Sequence, residues 1–434
     1  LMMNDFTLLV SRSERLTYAR EHLNEMFGKK YPKNFRKEHV AYHKDEPEEL
    51  AVINYTSGTT SYSKGVMLPY RSLWSNTKFA FEVLELEAGD KIVSMLPMAH
   101  MYGLAFEFLY EFSVGCHIYF LTRMPSPKII FQAFEEVKPS LIVAVPLIIE
   151  KIIKKSVLPK FETPAMKILL KVPIINDKIK ATVREEMIKA FGGNFKAVIV
   201  GGAAFNQEVE QFLKMIDFPY TVGYGMTECG PLISYAPWDE FVLGSSGKIL
   251  DIMEARIYKE TPEAETGEIQ VRGENVMVGY YKNQEATQEV FTQDGWLRTG
   301  DLGSMDSNGN IFIRGRLKTM ILSSSGQNIF PEELETKLNN LPFILESLVI
   351  ERNKKLVALV YADYEALDSL GLNNPDNLKT IMDENLKNLN SNVAAYEKIS
   401  KIQLYPTEFE KTPKRSIKRY LYNSICLLYT SPSP

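Results

Sequence analysis

Between Tyr55 and Val66 the chain reads YTSGTTSYSKGV, and this stretch limits both its fold and its chemistry. It follows an apolar run, Leu50-Ala51-Val52-Ile53-Asn54, which predicts a buried strand running into a loop. Thr56, Ser57, Thr59, Thr60 and Ser61 come before Lys64, Ser63 stands beside it, and Gly58 and Gly65 supply small residues. Backbone N–H groups in such a loop converge on one anion, hydroxyls add donors, and the lysine adds positive charge. A phosphate is the expected guest. The ordinary P-loop ends in Gly-Lys-Ser/Thr; here Ser63 precedes Lys64 and Gly65 follows it. Composition alone would describe a flexible Ser/Thr/Gly surface loop.

The 434 residues are enough for two or three domains. Hydrophobic residues make up 45% and charged ones 24%, as in ordinary globular proteins. A formal charge of −4 leaves no electrostatic footprint for nucleic acid. Cys116, Cys229 and Cys426 are too scattered for a disulfide framework and favour a reducing cytosol. The longest apolar runs, such as 141–149, are too short to span a bilayer. His39 and His43 lack the glutamate of a zinc-binding helix and are expected at the surface.

Residues 1–49 are polar and broken, with one short helical pattern at 15–27. From residue 50, strand-like runs at 91–96, 117–121, 141–145 and 197–200 alternate with helix-like runs at 72–84, 104–112, 127–137, 177–191 and 207–216. This order predicts a parallel sheet with helices on its faces. Ligands of such sheets gather at the carboxyl ends of the strands. After Gly230, β-like pieces at 255–259, 268–272 and 311–314 predict a small antiparallel or barrel-like subdomain. From Thr319 a third unit is expected: a strand at 320–323, a helix at 331–341 opened by proline, a hairpin of 348–351 with 357–361, and a helix at 378–389.

Six further stretches carry chemistry. KAVIVGGA (196–203) is a strand ending in Gly201, Gly202 and Ala203, where a flat ring can approach backbone. VGYGMTEC (222–229) groups Tyr224, Gly225, Thr227 and Glu228: an aromatic face for a base, a hydroxyl for phosphate and a carboxylate for Mg²⁺. GWLRTGDL (295–302) carries Asp301, and GRLKTMILSSSGQNIFPEE (315–333) carries Arg316 and Lys318. His100-Met101-Tyr102-Gly103 follows a strand and Pro97, and EKTPKRSIKR (410–419) is a basic run with Lys401 upstream.

In this order, these motifs resemble those of the adenylate-forming superfamily: acyl-CoA synthetases, luciferases and peptide-synthetase adenylation domains. The stretch 50–423 looks most like an AMP-forming acyl-CoA synthetase of the bacterial long-chain fatty acid type. A glycine is usual where Ser61 stands and a proline where Ser63 stands. The resemblance implies an α/β protein in two domains. Residues 1–317 would form the AMP-binding domain, with parallel α/β layers, a β-barrel-like subdomain at about 231–317, and a front subdomain largely missing before Tyr55. Residues 318–425 would form a smaller mobile α+β domain, hinged at Lys318. Residues 426–434, a Ser/Pro tail, are expected outside the fold because one back-translation resembles a sequencing-library adapter.

The resemblance also implies roles. Thr56, Ser57, Gly58, Thr59, Thr60 and Lys64 would hold phosphates; Gly202, Ala203, Tyr224 and Gly225 the adenine. Thr227 and Glu228 would serve phosphate and Mg²⁺, Asp301 and Arg316 the ribose, and His100, Tyr102 and Gly103 the acyl pocket. The family brings a late lysine to the acyl and α-phosphate oxygens; setting Thr412 on the family's threonine puts Ser416 at that position. Lys414 and Lys418 share its face in an extended segment and are expected to substitute. The implied substrates are ATP, a fatty acid and coenzyme A, with Mg²⁺, in the cytoplasm and with peripheral membrane contact possible. Two alternatives stand beside this: transfer to a carrier protein, and a nucleotide-binding remnant without catalysis.

Overall fold

Five strands of three or four residues form the centre of the protein: His117–Phe120, Lys91–Ser94, Ile142–Ala144, Val198–Val200 and Tyr220–Val222. Neighbours run parallel within the first two and within the last three, and a parallel bridge between Ile92 and Leu141 joins the two sets. The last three strands are buried throughout and rich in Val and Ile, as strands covered on both faces are. Helices are set by local signals. Ser126 caps Pro127–Val137, accepting the Ile129 N–H, and the Asn206 side chain caps Gln207–Met215 through the N–H groups of Glu208 and Val209.

The computed structural model describes residues 14–39, 44, 46–56, 63–122, 126–157, 173–259, 261, 264–323, 327–411 and 417–422. Contacts divide the chain into residues 1–46 and 47–434. In the first unit the pattern at 15–27 becomes two helices, Glu14–Glu21 and Leu23–Lys30. Phe27, Tyr31, Phe35 and His39 cluster beyond the break, with ring centroids 4.9–5.8 Å apart.

Two expectations are corrected. The run at 50–54 belongs to the strand Leu50–Thr56, but it pairs antiparallel with Lys64–Pro69, and Asn54 is its one buried residue. Thr56 and Lys64, which flank the expected phosphate loop, are therefore paired outside the central sheet. The single helix expected at 104–112 is Met101–Leu104, a π turn at Ala105–Leu109 and Tyr110–Val114. A wider turn shifts the phase of the side chains after it, and Glu107 faces inward, accepting from Ser94 Oγ and the N–H groups of Met95 and Leu96 at 3.1, 3.0 and 2.8 Å. The β-rich part is a four-stranded antiparallel sheet, Met253–Tyr258, Gly267–Gly273, Leu297–Met305 and Ile311–Arg316 in that spatial order. The strand Leu297–Met305 was not expected.

Beyond Thr319 a three-stranded sheet places Lys355–Ala362 between antiparallel Ile344–Arg352 and parallel Ile399–Leu404. Helices Pro331–Leu338 and Pro375–Ser391 pack Leu334, Leu338, Met382 and Leu389 against Val349, Ala358 and Val360. Each buried leucine contributes about 1.5–3 kcal/mol, so this segment has a core of its own. Among the described residues no helix is long and apolar enough to cross a membrane.

Candidate active site

The hairpin brings Thr56 opposite Lys64, with Thr56 Oγ1 donating to the Lys64 carbonyl at 3.4 Å. Ser57, Gly58, Thr59, Thr60 and Ser61 lie outside the described residues. Asn54 Nδ2 ties the same strand to the segment before His100, donating to the Ala99 carbonyl at 2.9 Å. A third strand, Gly279–Tyr280, pairs Tyr280 with Val66. This puts the Tyr280 ring 4.8 Å below the Lys64 ammonium, within cation–π range.

Tyr280 also reaches the next motif. Its hydroxyl donates to Glu228 Oε1 at 2.9 Å, and Glu228 is buried in the turn Thr227–Cys229. Burial, reinforced by the neighbouring Glu228 charge, pushes the Tyr280 phenol well above its ordinary range, so it keeps its proton and donates. Lys64, Tyr280 and Glu228 thus form one chain from cation to carboxylate. No sequence signal marked Tyr280, because its contacts arise from a strand pairing.

Gly225 is required by close approach: a Cβ there would lie 2.2 Å from the Pro231 carbonyl oxygen. Next to it, the buried Tyr224 hydroxyl donates to Asp301 Oδ2 at 2.7 Å. Asp301 Oδ1 lies 2.9 Å from Arg316 Nε, the two being register partners on adjacent strands. Burial raises the Asp301 carboxyl, while the Arg316 charge and the Tyr224 bond oppose that rise. Asp301 raises Arg316 in turn.

Gly202, at φ +89°, and Ala203 follow the central strand Val198–Val200. Tyr102 stands beside Gly201, donating to the Ile199 carbonyl at 3.2 Å, and a Cβ at Gly103 would meet the Pro97 carbonyl at 2.8 Å. One cleft of about 2140 Å³ joins these parts. It is lined by Thr56, Lys64, His100, Tyr102, Gly103, Gly202, Ala203, Tyr224, Gly225, Thr227, Glu228, Asp301, Arg316, Lys318 and Lys418. The cleft is also lined by the apolar side chains of Phe79, Leu84, Leu96, Met101, Phe106 and Tyr235. Lys414 and Ser416 lie outside the described residues.

Among the described residues no group of three or more His, Cys, Asp or Glu side chains forms a metal cage. Glu228, joined to Lys64 through Tyr280, fits a cation that takes most of its ligands from phosphates.

A profile of the family described as AMP-binding enzyme matches residues 7–281. The long-chain-fatty-acid–CoA ligase ACSBG2 of Rattus norvegicus is 29% identical over 338 residues, 72% of this chain and 50% of that protein. The long-chain-fatty-acid–CoA ligase FadD15 of Mycobacterium tuberculosis is 28% identical over 411 residues, 85% of this chain and 66% of that protein. The chain thus spans about half to two thirds of the length of these curated relatives. Among solved structures, ATP-bound MatB from Rhodopseudomonas palustris matches with a TM-score of 0.69 at 23% identity, over 88% of this chain and 69% of that one. O-succinylbenzoate coenzyme A synthetase (MenE) from Bacillus subtilis, in complex with ATP and magnesium ion, gives 0.67 at 22% identity, over 90% and 74%. The α/β fold is that of these proteins, and with the family profile covering more than half of its residues the chain belongs to the AMP-binding enzyme family.

Proposed function

We propose that the protein is an AMP-forming ligase that activates a fatty acid with ATP and passes the acyl group to coenzyme A. The observation that carries this is the cleft itself. It is lined both by Lys64, Glu228, Asp301 and Arg316 and by apolar side chains, among them Leu84, Met101 and Phe106, that suit an acyl chain. In the first half-reaction a carboxylate oxygen attacks the α-phosphorus, the bond to pyrophosphate breaks, and acyl-AMP forms. In the second, the coenzyme A thiol loses its proton, its sulfur attacks the acyl carbon, and AMP leaves.

The chain's own part is positioning and charge stabilisation. Lys64 faces the phosphates and Thr227 adds a hydroxyl. Asp301, held by Tyr224 and Arg316, keeps a free lone pair for the ribose diol, and Gly202, Ala203 and Tyr224 border the base. Mg²⁺, with Glu228 as its protein ligand, would neutralise phosphate charge when bound. Residues 318–425 act as a smaller domain that turns about Lys318 between the two steps, in a cytoplasmic enzyme. The named ligase activities of the relatives support this assignment.

The test is ATP–pyrophosphate exchange across fatty acids of different length, followed by product analysis with coenzyme A. Acid-dependent exchange and an acyl thioester are expected. ATP binding without exchange for any acid would leave a nucleotide-binding remnant, and a thioester formed only on a carrier protein would change the acceptor.

A further inference from the structure

Lys154, in the helix Pro146–Ser156, reaches out of the large α/β layer to the end of the helix Pro331–Leu338. Its ammonium donates to the Asn340 side-chain oxygen at 2.7 Å and to the Asn339 carbonyl at 3.2 Å. The same Asn340 oxygen also accepts from Asn206 Nδ2. The Asn206 amide cannot turn freely, because its oxygen caps the next helix at Glu208 and Val209, and Glu150 accepts its backbone N–H at 3.0 Å. Two donors fixed on one part of the molecule therefore converge on a single acceptor of another.

The geometry points to a polar latch: Lys154 and Asn206 are positioning residues that hold the C-terminal segment through Asn340. The pose they hold is the one in which residues 417–420 line the same cleft as Lys64 and Asp301. Given the two-step function proposed above, that pose serves adenylation, because it sets Lys418 in the cleft that would hold the phosphates. Thioester formation needs the latch to open. Its worth in adenylation is about tenfold, the scale of one charge-assisted hydrogen bond.

Asn340 gives a test in both directions. Asn340→Leu and Lys154→Met remove the latch. Asn340→Asp keeps an acceptor for both donors and adds charge opposite Lys154. The first two variants should slow adenylate formation about tenfold while thioester formation from supplied acyl-adenylate stays level or rises. Asn340→Asp should keep adenylation and slow the thioester step. A readout independent of activity is the distance between spin labels at Lys214→Cys and Glu365→Cys, with Cys116→Ser and Cys426→Ser and the buried Cys229 retained. One narrow distance is expected in the parent and in Asn340→Asp, and a broad distribution in the other two. Equal loss of both half-reactions, or one distribution in all four proteins, overturns the latch. If the distances respond as expected but no protein shows pyrophosphate exchange, the latch stands and the ligase assignment falls.

Discussion

Asp301 and Arg316 are register partners on adjacent antiparallel strands, and their side chains meet at 2.9 Å. Tyr224 holds the other carboxylate oxygen at 2.7 Å, so the buried carboxylate is fixed from two sides in the wall of the cleft. Asp301→Asn keeps an oxygen for one partner and loses the charge. Affinity for AMP should fall roughly 10- to 100-fold, as for a lost hydrogen bond to a charged group, with the thermal midpoint little changed. Titration calorimetry checks this, and an unchanged dissociation constant would remove Asp301 from the nucleotide site.

Tyr280 links Lys64 to Glu228, and its two contacts separate by substitution. Tyr280→Phe keeps the ring under Lys64 and deletes the bond to Glu228; Tyr280→Leu deletes both. The Phe variant should need more Mg²⁺ for half-maximal pyrophosphate exchange. The Leu variant should also lose rate towards the level of Lys64→Ala, which is expected to fall roughly 100-fold or more. Identical Mg²⁺ dependence in parent and Phe variant would show that the hydroxyl does not support Glu228.

Three buried carboxyls predict how stability depends on pH. Burial pushes Glu111 up to about 8 and Glu107 and Glu210 up to about 7, from an ordinary value of 4.5. Between the ordinary and the raised values the folded chain holds protons that the unfolded chain releases. Their contribution is therefore full below about pH 4.5 and is lost as pH rises through about 7 to 8. Thermal midpoints should fall between about pH 4.5 and about pH 8, and Glu111→Gln, which cannot ionise, should flatten that fall. An equally steep profile in the variant would contradict the burial assignment.

How far the sequence could be read depended on range. Short buried strands such as Val198–Val200 and capped helices such as Pro127–Val137 announce themselves locally, by β-branched runs and by Ser-Pro at a helix start. Leu297–Met305 does not. It turns Thr299 and Asp301 inward beside Leu297, so the usual apolar alternation is absent. The hairpin role of Leu50–Thr56 was hidden because an apolar run does not state the direction of its partner. Motif residues were legible as types, and Tyr224, Glu228, Asp301 and Arg316 do line one cleft. Tyr280 and Asn340 were not legible, since their contacts depend on strand and helix neighbours far away in the chain.

Lys318 lies exposed between the strand Ile311–Arg316 and the short strand Ile321–Leu322. Proline there would fix φ near −65° and restrict a rotation about this point. Lys318→Pro is expected to retain pyrophosphate exchange and to lose thioester formation from preformed acyl-adenylate. Single-turnover measurement of both steps decides it: parallel loss of the two points to misfolding, and full retention of both means that no rotation passes through Lys318.

Lys418 is the described residue best placed to act where Ser416 supplies only a hydroxyl. Its neighbour Arg419 is committed: it pairs with Glu335, lies 3.5 Å from Glu332 and donates to the Val349 carbonyl at 3.4 Å. Lys418 has a looser tie. Its backbone N–H donates to the Glu410 carbonyl at 2.8 Å, and its ammonium lies 3.3 Å from a Glu410 carboxylate that is 68% exposed. A pair so open to water holds an ammonium weakly, so Lys418 can leave Glu410 for a phosphate oxygen in the cleft it lines. Lys418→Ala should therefore lower adenylation roughly 100-fold and spare thioester formation from supplied acyl-adenylate. Lys414→Ala is the control for the other lysine expected to substitute, and Glu410→Gln should leave adenylation intact or faster. Selective loss in Lys414→Ala alone would transfer the role to Lys414. If neither alanine variant changes the rate and Ser416→Lys creates exchange in a protein that had none, the parent chain binds nucleotide without catalysing the step.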